Sequence, residues 1–439
     1  MTDRKRLREW PDLLAVHRNA PETWPFLLDS ASRGGGLGRW SILMRVDSAH
    51  APIVAACESA GKFLTRLDRA VAAERCRQRG ELPFEGGWFV YLGYELAGEI
   101  EPTLQPLAIP DGTPRALAQR CHAALILDHE TGQAHAVAEQ PEVLEKCIDA
   151  ARDTPPLPAA PGSLTLPVMQ ADDGARFMRG VERIREYVLA GDVFQVNLSR
   201  AWLGHTDTAP DPVDVYRRLA ASNPAPFAGL ARLPGGTLLS SSPERLISVQ
   251  ERVIEARPIA GTRPRGGSPE DDRALSVELL GHPKERAEHI MLIDLERNDL
   301  GRVCEPGSVE VDELMVLESY AHVHHIVSNI RGRLNRDVSA ADIIAACFPG
   351  GTITGCPKVR CMEIITELET AGRGFYTGSM GYLGLDGRMD LNILIRSMLV
   401  TECGIRFRTG AGIVADSEPA AELAETEAKA RGLMRALNP

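Results

Sequence analysis

Apolar residues recur along this chain with two periods, and each period predicts a different kind of element. A spacing of three or four residues predicts an amphipathic helix, and a short apolar run bounded by turn residues predicts a strand. Four segments have the helical spacing: Ile53–Val71, Arg176–Ala190, Arg286–Asn298 and Glu418–Leu437. Strands are predicted at Ser41–Val46, Gly86–Leu96, Ala123–Leu127, Phe194–Leu198, Gly236–Ser241, Ser379–Leu385, Leu391–Val400 and Ile405–Thr409. Because the two kinds of element do not alternate regularly, the pattern favours an α+β fold with a largely antiparallel sheet.

A proline-rich segment divides this pattern in two. Residues 153–167 read DTPPLPAAPGSLTLP, in which five prolines and one glycine exclude a helix or a central strand. We therefore interpret residues 1–152 as an N-terminal region, residues 153–167 as a linker and residues 168–439 as a C-terminal region.

Composition narrows the class of protein. Of the 439 residues, 44% are hydrophobic and 25% are charged, as in a folded globular protein. The net charge of -11 argues against a nucleic-acid groove, although local cations still permit an anionic substrate. The nine cysteines are scattered without a CxxC pair, so neither a zinc ribbon nor a disulfide framework is indicated. Because Met1–Lys5 is not followed by an apolar core and no apolar run reaches ~20 residues, we expect a cytoplasmic protein that enters no membrane.

The last predicted helix carries charged residues on one face. Glu422, Glu425 and Lys429 are spaced i, i+3 and i+7, which places them on the same side of the helix. Two carboxylates and one ammonium could hold a hard cation together with an anionic ligand. From the helix alone, a solvated, salt-bridged face is the better interpretation. The preceding segment Gly410–Gly412 offers either bare backbone N–H groups for a carboxylate or a tight turn.

Histidines and glutamates gather in two further segments. Glu288 and His289 lie in a predicted helix, where on their own they would be surface residues. His322, His324 and His325 follow a second pattern, for which a metal site, a catalytic histidine and a polar patch are all open interpretations. Walker, HxxxH and GxSxG spacings are missing, so a P-loop, a zinc protease and an esterase are unsupported.

Five segments, taken in their order along the chain, resemble a known family. They are GDVFQVNL (Gly191–Leu198), SPER (Ser242–Arg245), RPIAGTRPRG (Arg257–Gly266), RAEH (Arg286–His289) with HVHH (His322–His325), and the tail that begins with GTITGCPK (Gly351–Lys358). The order resembles that of the chorismate-utilising enzymes, which include the large subunits of aminodeoxychorismate synthase and anthranilate synthase as well as isochorismate and salicylate synthases. The resemblance begins at about Ala171 and implies an α+β fold: two large, mainly antiparallel sheets packed together, with helices on the outside.

The resemblance also implies a magnesium-dependent site for chorismate. Glu288 and Glu425, with Glu422 close by, would hold Mg²⁺, which prefers a few carboxylates plus substrate oxygens. Glu244 would be the general acid that protonates the leaving hydroxyl, a role that requires a raised pKa. The residues expected to line the ring are Thr352 and His325, the latter favouring proton transfer. The groups expected to bind the substrate carboxylates are Tyr382, Arg396, Gly410, Ala411, Gly412 and Lys429.

The nucleophile is expected to be ammonia. The resemblance places a lysine base in the water-adding relatives at the position of Gln195, so amination is favoured over hydration. No nucleophilic cysteine flanked by glycines precedes a histidine–glutamate pair, so no glutaminase region is visible. We therefore expect the ammonia to come from a separate glutamine amidotransferase subunit.

Two aminating activities are alternatives. The segment PIAGT has Ala260 where many aminodeoxychorismate synthases carry a nucleophilic lysine, and in this it resembles the anthranilate synthases. QVNL (Gln195–Leu198), NPAPFAG (Asn223–Gly229) and LLDS (Leu27–Ser30) resemble the aminodeoxychorismate synthases instead, and this is the activity we expect. A non-catalytic chorismate or tryptophan binder is less consistent with an acid at Glu244, because binding alone requires none. A candidate tryptophan pocket would be formed by Leu28, Ser30, Asn223, Pro224 and Phe227.

Overall fold

The computed structural model describes residues 2–32, 38–47, 50–55, 62–76, 80–159, 167–208, 210–319 and 323–437. The predictions made for His322 and for residues 160–166 of the linker lie outside these residues. No helix in the described ranges is both long enough and apolar enough to cross a membrane. The eight cysteines that are described are all free thiols.

The described residues form 21 strands, all of which pair in the antiparallel sense. They are β1 (Asp3–Arg6), β2 (Phe26–Asp29), β3 (Trp40–Val46), β4 (Ile53–Ala55), β5 (Gly87–Leu92), β6 (Ala116–Asp128), β7 (Gln133–Ala138), β8 (Gln170–Ala171), β9 (Gln195–His205), β10 (Phe227–Leu233), β11 (Gly236–Ser242), β12 (Arg245–Gln250), β13 (Val253–Ala256), β14 (Ile259–Pro264), β15 (Glu310–Ser319), β16 (Val323–Arg333), β17 (Gly355–Cys356), β18 (Ser379–Gly384), β19 (Met389–Asn392), β20 (Ser397–Thr401) and β21 (Gly404–Ile413).

Helices connect these strands and lie mainly outside the sheets. They are α1 (Leu13–Asn19), α2 (Phe63–Glu74), α3 (Ala97–Ile100), α4 (Pro141–Asp153), α5 (Gly174–Leu189), α6 (Pro212–Ser222), α7 (Pro269–Gly281), α8 (Pro283–Gly301), α9 (Ala340–Cys347), α10 (Lys358–Leu368) and α11 (Pro419–Leu437). Two short 3-10 turns, Tyr94–Leu96 and Gly351–Ile353, lie beside the functional site described below.

The strands form two sheets that share one long strand, β6. The first sheet runs in the order β7-β6-β3-β2-β10-β11-β20-β21-β9. The second runs β6-β5-β18-β19-β12-β13-β16-β15, with β14 also on β16. Residues 121–128 of β6 pair with β3, whereas residues 116–121 pair with β5, so the strand passes from one sheet into the other.

Apolar side chains from the inner faces of both sheets form the central core. Phe26 of β2 stacks on Phe89 of β5 with ring centroids 3.8 Å apart, and Met380 and Leu399 belong to the same cluster. Separate apolar clusters bury α1, α4, α6 and α11 against the first sheet and α2, α8 and α9 against the second. The predicted fold class, two packed antiparallel sheets with helices outside, is therefore confirmed.

Most predicted elements are present, but three boundaries were wrong. The predicted strand Gly86–Leu96 ends at Leu92 and is followed by the 3-10 turn Tyr94–Leu96. The predicted helix Ile53–Val71 begins as strand β4, and its helix, α2, starts only at Phe63. The predicted strand Leu391–Val400 is two strands, because β19 pairs in the second sheet and β20 in the first. The chain crosses between the sheets in the interval, where Arg396 has a φ of 50°.

The N-terminal region takes part in both sheets. Its strand β2 pairs with β10, and its strand β5 pairs with β18, so the two sides of the proline-rich segment are joined by backbone hydrogen bonds. Helix α4 ends at Asp153, where that segment begins. The division into two regions and a linker stays a prediction.

Candidate functional site

Glu244 lies where the chain crosses between the two sheets. It follows β11, and its carbonyl accepts the N–H of Ile393 at 3.0 Å, which fixes it beside the crossing segment. The side chain is 6% exposed, and Thr352 Oγ1 donates to Glu244 Oε1 at 2.8 Å. Burial raises the pKa of Glu244 to about 7, since it outweighs this hydrogen bond and the positive charges of Arg396 and Lys429. A carboxyl with this pKa can hold and release a proton near neutral pH.

Thr352 is presented by the 3-10 turn Gly351–Ile353. The turn is packed so closely that a Cβ on Gly351 would lie 2.4 Å from Leu295 Cδ2 of α8. Glycine at this position therefore lets the turn approach the helix and aim the Thr352 hydroxyl at Glu244. The glycine-rich segment thus positions the hydroxyl that donates to Glu244.

His325 lies on β16 and is 3% exposed. Burial, together with the nearby positive charge of Arg396, lowers the pKa of His325 to about 4, so the ring is neutral at pH 7. Its Nδ1 lies 3.4 Å from the carbonyl oxygen of Gly261 on β14. A neutral imidazole has one ring nitrogen that can donate a hydrogen bond and one that can accept one.

The other described histidines of the two segments have structural partners. His324 Nε2 lies 2.9 Å from Asp272 Oδ1, and its Nδ1 lies 2.8 Å from Ser319 Oγ. His289 Nε2 lies 2.7 Å from Ser328 Oγ in the interior. His324 and His289 therefore make structural contacts. Among the described residues, neither belongs to a group of three or more side chains that could hold a metal ion.

The segment Gly410–Gly412 of β21 lies against polar side chains. A Cβ on Gly412 would lie 2.3 Å from Gln195 Nε2, and one on Gly410 would lie 2.8 Å from both Asn197 Oδ1 and the Tyr376 hydroxyl. The side-chain oxygens of Gln195 and Asn197 are buried without a hydrogen-bond partner. The two glycines therefore let polar side chains pack directly against β21, and two buried acceptors beside them have no hydrogen-bond partner. The region from these residues to Glu244, Thr352 and His325 is called the cleft below.

Helix α11 places the Lys429 side chain beside Gly410. Its Nζ donates to the carbonyl of Gly410 at 2.8 Å and forms an ion pair with Glu425 Oε1 at 2.7 Å. The predicted spacing on one helical face is confirmed for this pair, which are i and i+4. Lys429 thereby brings a positive charge to the glycine segment.

The three predicted magnesium ligands are not gathered into a ready-made cluster. Among the described residues, no group of three or more histidine, cysteine, aspartate or glutamate side chains is placed to hold a metal ion. Glu425 is paired with Lys429, Glu422 lies in the first turn of the same helix, and Glu288 lies half-buried on α8. Carboxylate oxygens are nonetheless the donors Mg²⁺ takes, and it binds through one or two of them plus substrate. The magnesium site stays a prediction that these residues fit.

Tyr382 lies apart from Gly410–Gly412, and its assignment to the substrate carboxylates stays a prediction. It lies on β18 in a second cavity, of about 690 Å³, where its ring meets Phe84 edge-on. Tyr376, six residues earlier, has its hydroxyl beside Gly410 instead. The sequence around the two tyrosines does not distinguish their positions. The path of the chain at residues 373–378 places the Tyr376 hydroxyl beside Gly410.

The second cavity contains part of the candidate tryptophan pocket. Leu28, Ser30 and Phe227 line it, whereas Asn223 and Pro224 are not among its lining residues. Asn223 is the residue that ends α6, and its carbonyl accepts a hydrogen bond from the Ser241 hydroxyl. The cavity wall is stiffened by two hydrogen bonds, of 2.9 and 3.0 Å, from Arg245 to Asp390.

Comparison with known proteins identifies the family. Residues 38–435 match the family described as chorismate binding enzyme. The chain belongs to this family. The family match includes Glu244, His325, Thr352 and the paired strands β9 and β21.

Relatives of this chorismate binding enzyme carry two different names. It is 44% identical over 358 residues to an anthranilate synthase component I-like protein of Synechocystis sp., covering 81% of this chain and 73% of the relative. It is 42% identical over 371 residues to aminodeoxychorismate synthase component 1 of Bacillus subtilis, covering 81% and 77%. It is 39% identical over 438 residues to anthranilate synthase component 1 of Streptomyces coelicolor, covering 95% and 84%.

Solved structures share the fold. Anthranilate synthase component I from Streptococcus pneumoniae superposes with a TM-score of 0.81 at 31% identity, covering 91% of this chain and 93% of that one. The menaquinone-specific isochorismate synthase of Escherichia coli has a TM-score of 0.78 at 18% identity, covering 100% and 94%. The second similarity concerns the fold alone.

Several residues of the cleft were not predicted from the sequence. Tyr376 and Arg373 look like ordinary packing and surface residues in the sequence, and Asn197 was noticed only within its motif. Glu296 of α8 is 4% exposed, and burial next to the charge of Asp299 raises its pKa to about 8. A charged residue on the buried face of a helix can indicate a functional site, but this requires that the buried face is known.

Proposed function

We propose that this chorismate binding enzyme uses Mg²⁺ to aminate chorismate with ammonia, giving 4-amino-4-deoxychorismate and water. The single observation that carries the proposal is the buried Glu244 carboxyl, whose pKa of about 7 suits a proton donor at neutral pH. A protein that only bound chorismate would gain nothing from burying an acid with one hydrogen bond.

The cations of the cleft would bind the anionic substrate. Arg396 and Lys429 both act on Glu244 electrostatically, so both charges lie near the reacting centre. Tyr376 and the backbone of Gly410–Gly412 would complete the carboxylate contacts. Bound to Glu288 and Glu425, Mg²⁺ would supply Lewis-acid stabilisation of the charge that develops on the substrate.

Glu244 would give its proton to the departing C4 hydroxyl, which leaves as water. Ammonia forms the new C–N bond at C4 as the C4–O bond breaks, and the product keeps the added proton as an ammonium group near neutral pH. The neutral ring of His325 would line the substrate ring. The hydrogen bond from Thr352 Oγ1 holds the Glu244 carboxyl in place and occupies only Oε1. The other carboxyl oxygen is then the one that carries the proton.

Amination is favoured over hydration by the state of Gln195. Its Oε1 is buried without a partner, and a carboxamide oxygen accepts N–H bonds but is far too weak a base to deprotonate water. Neutral ammonia has three N–H groups to offer and requires no deprotonation before it attacks. A separate glutamine amidotransferase subunit would supply it, which agrees with the names of relatives as component 1.

Anthranilate formation is the second candidate. It is favoured by Ala260, which lies on β14 at 7% exposure beside the pairing of β14 with His325 and cannot form a covalent adduct. Most of the relatives named above are called anthranilate synthases. The QVNL, NPAPFAG and LLDS motifs support the aminodeoxychorismate product, by an adduct-free route.

A product assay tests the proposal. Protein, chorismate, Mg²⁺ and an ammonium salt at alkaline pH are incubated with and without aminodeoxychorismate lyase, and products are read by fluorescence and mass. p-Aminobenzoate that forms only with the lyase supports the proposal, whereas anthranilate and pyruvate without the lyase establish the second candidate. Tyr376→Phe should raise KM for chorismate, and Tyr382→Phe, the matched control, should not.

A further inference from the structure

The segment Gly93–Leu96 of the N-terminal region is clamped onto a loop of the catalytic cleft. Glu95 is 1% exposed, and its two carboxyl oxygens accept the backbone N–H groups of Arg373 at 2.6 Å and Gly374 at 3.0 Å. The N–H of Tyr94 donates to the carbonyl of Gly374 at 2.8 Å. Three hydrogen bonds thus fix two consecutive residues of the loop, and Gly374 has a φ of 59° that favours glycine.

The Arg373 side chain, held by this clamp, connects the separate parts of the cleft. All five of its N–H donors have acceptors. Nη2 donates to the carbonyl of Asn197 on β9 at 2.7 Å, and Nη1 donates to the carbonyl of Ile353 at 3.2 Å. Its remaining donors go to Thr377 and Glu369. The first two bonds join the strand of Gln195 to the turn that aims Thr352 at Glu244.

Tyr376 depends on the same clamp. Its backbone N–H donates to the carbonyl of Arg373 at 3.1 Å. The Arg373 guanidinium lies between two rings, with its Cζ 4.7 Å from the centroid of Tyr94 and 5.7 Å from that of Tyr376. Displacement of Arg373 would therefore move the tyrosine hydroxyl away from Gly410.

We infer that Glu95 and Arg373 are a positioning pair through which the N-terminal region sets the geometry of the chorismate cleft. Glu95 touches no substrate; it acts on Tyr376, on β9 and on the Thr352 turn through Arg373. The inference deepens the proposed function and rests on it. It gives the glycine- and aromatic-rich segment Gly86–Leu96 a catalytic purpose beyond its place in the second sheet.

The test compares Glu95→Gln with a matched control. Glutamine offers one acceptor oxygen where the carboxylate offers two, so one loop N–H loses its partner with little change in volume. We expect kcat/KM for chorismate to fall about 10-fold or more, since small displacements of positioned groups are costly. Glu139→Gln is the control, because Glu139 is also an N-terminal glutamate that accepts from an arginine, Arg120, at 2.7 Å, but lies outside the cleft. Its kinetics per folded molecule should equal those of the wild type.

A double-mutant cycle with Tyr376→Phe separates positioning from a general loss of stability. If Glu95 acts through Tyr376, the effect of Glu95→Gln on kcat/KM shrinks in the Tyr376→Phe background. Wild-type kinetics for folded Glu95→Gln overturn the inference, and two effects that simply multiply overturn its route through Tyr376. If Glu95→Gln does not fold, Glu95→Asp takes its place with the same two outcomes, because its shorter side chain can reach only one of the two amides.

Failure of the proposed function is recognised separately. Wild-type protein that binds chorismate in calorimetry but forms no aminated product overturns the proposed function. Glu95→Gln is then judged by its Kd for chorismate in the same calorimeter, where a value equal to that of the wild type overturns the positioning role.

Discussion

Two fully buried glutamates in this protein have opposite titration behaviour. Glu244 accepts one side-chain hydrogen bond, and burial raises its pKa to about 7. Glu369 accepts from the Ser199 backbone at 3.0 Å, from Arg373 Nη2 at 2.7 Å and from Arg408 Nη2 at 2.8 Å, and the pKa of this carboxyl is lowered in spite of its burial.

The difference shows that burial alone does not decide the charge of a carboxyl. Two arginines and several N–H and O–H donors offset the desolvation of Glu369, whereas Glu244 has one hydrogen bond, from Thr352, and the weaker attraction of Arg396 and Lys429. The ionic cluster around Glu369 stabilises the walls of the cleft, and the sparsely bonded acid in the cleft remains free to exchange its proton.

The largest effect should come from removing the proton of the acid. Glu244→Gln should lower kcat for amination by roughly 10²- to 10⁴-fold, the range found for general acids, because glutamine cannot protonate the departing hydroxyl. Steady-state rates with ammonium salts measure this, and calorimetry should show chorismate binding retained. Near-normal turnover by this variant would assign the acid role elsewhere, with Glu296 the next buried carboxyl to examine.

Removing the charge of Glu369 should instead lower the free energy of unfolding. Glu369→Gln leaves Arg373 and Arg408 buried without their counter-charge, and we expect a loss of about 3–5 kcal/mol of unfolding free energy at pH 7. The folded-state pKa of Glu369 lies below its unfolded value, so its contribution is present above the unfolded pKa and is lost as pH falls through the folded one. Urea unfolding at pH 7 and at acid pH measures both; an equal loss at the two pH values contradicts the assignment.

The variant Glu244→Gln should also be more stable than the wild type at alkaline pH. Folded Glu244 keeps its proton up to a pKa of about 7, against 4.5 as the ordinary value, so wild-type stability falls as pH rises through this window. Glutamine does not titrate, and Glu244→Gln should gain up to about 3 kcal/mol at pH 8 relative to pH 4. Thermal unfolding at the two pH values tests the sign. A variant with no alkaline gain would mean that the Glu244 carboxyl is solvated in the folded protein.

The smallest effect should come from the single bond that the acid accepts. Thr352→Val removes the hydroxyl that stabilises the ionised carboxylate, so the pKa of Glu244 should rise, by up to about one unit for a net bond of ~1 kcal/mol. The pH profile of kcat at constant concentration of free ammonia reports the shift. Thr354→Val is the matched control, since its hydroxyl donates to the carbonyl of Gly350 and does not reach the acid. A downward shift in Thr352→Val is incompatible with the bond as described.

The sequence patterns predicted the helices and strands more completely than the residues of the cleft, and particular elements show why. Helices α5, α8 and α11 were predicted because their apolar spacing depends on local chain geometry alone. The break between β19 and β20 was not, because each half reads as a strand and only pairing in two different sheets interrupts them.

The same limit applies to the site residues. Glu244, Thr352, His325 and Lys429 were predicted from motifs whose order is distinctive. Tyr376 was not predicted, since it lies in glycine-containing sequence like Tyr382 and the loop held by Glu95 places its hydroxyl beside Gly410. Side chains brought together by loops from distant parts of a chain leave no local signal.

The strand shared by the two sheets has a consequence for how the protein is made. During synthesis β3 and β5 can pair with β6 early, but β2 must wait for β10 and β5 must wait for β18 before their free edges are covered. The nascent N-terminal half therefore leaves the ribosome with open strand edges, which are prone to aggregate, and closes only when nearly the whole chain has emerged. Expression of this protein should accordingly depend on chaperones that hold the first half, and halves produced together should rescue one another where either alone precipitates.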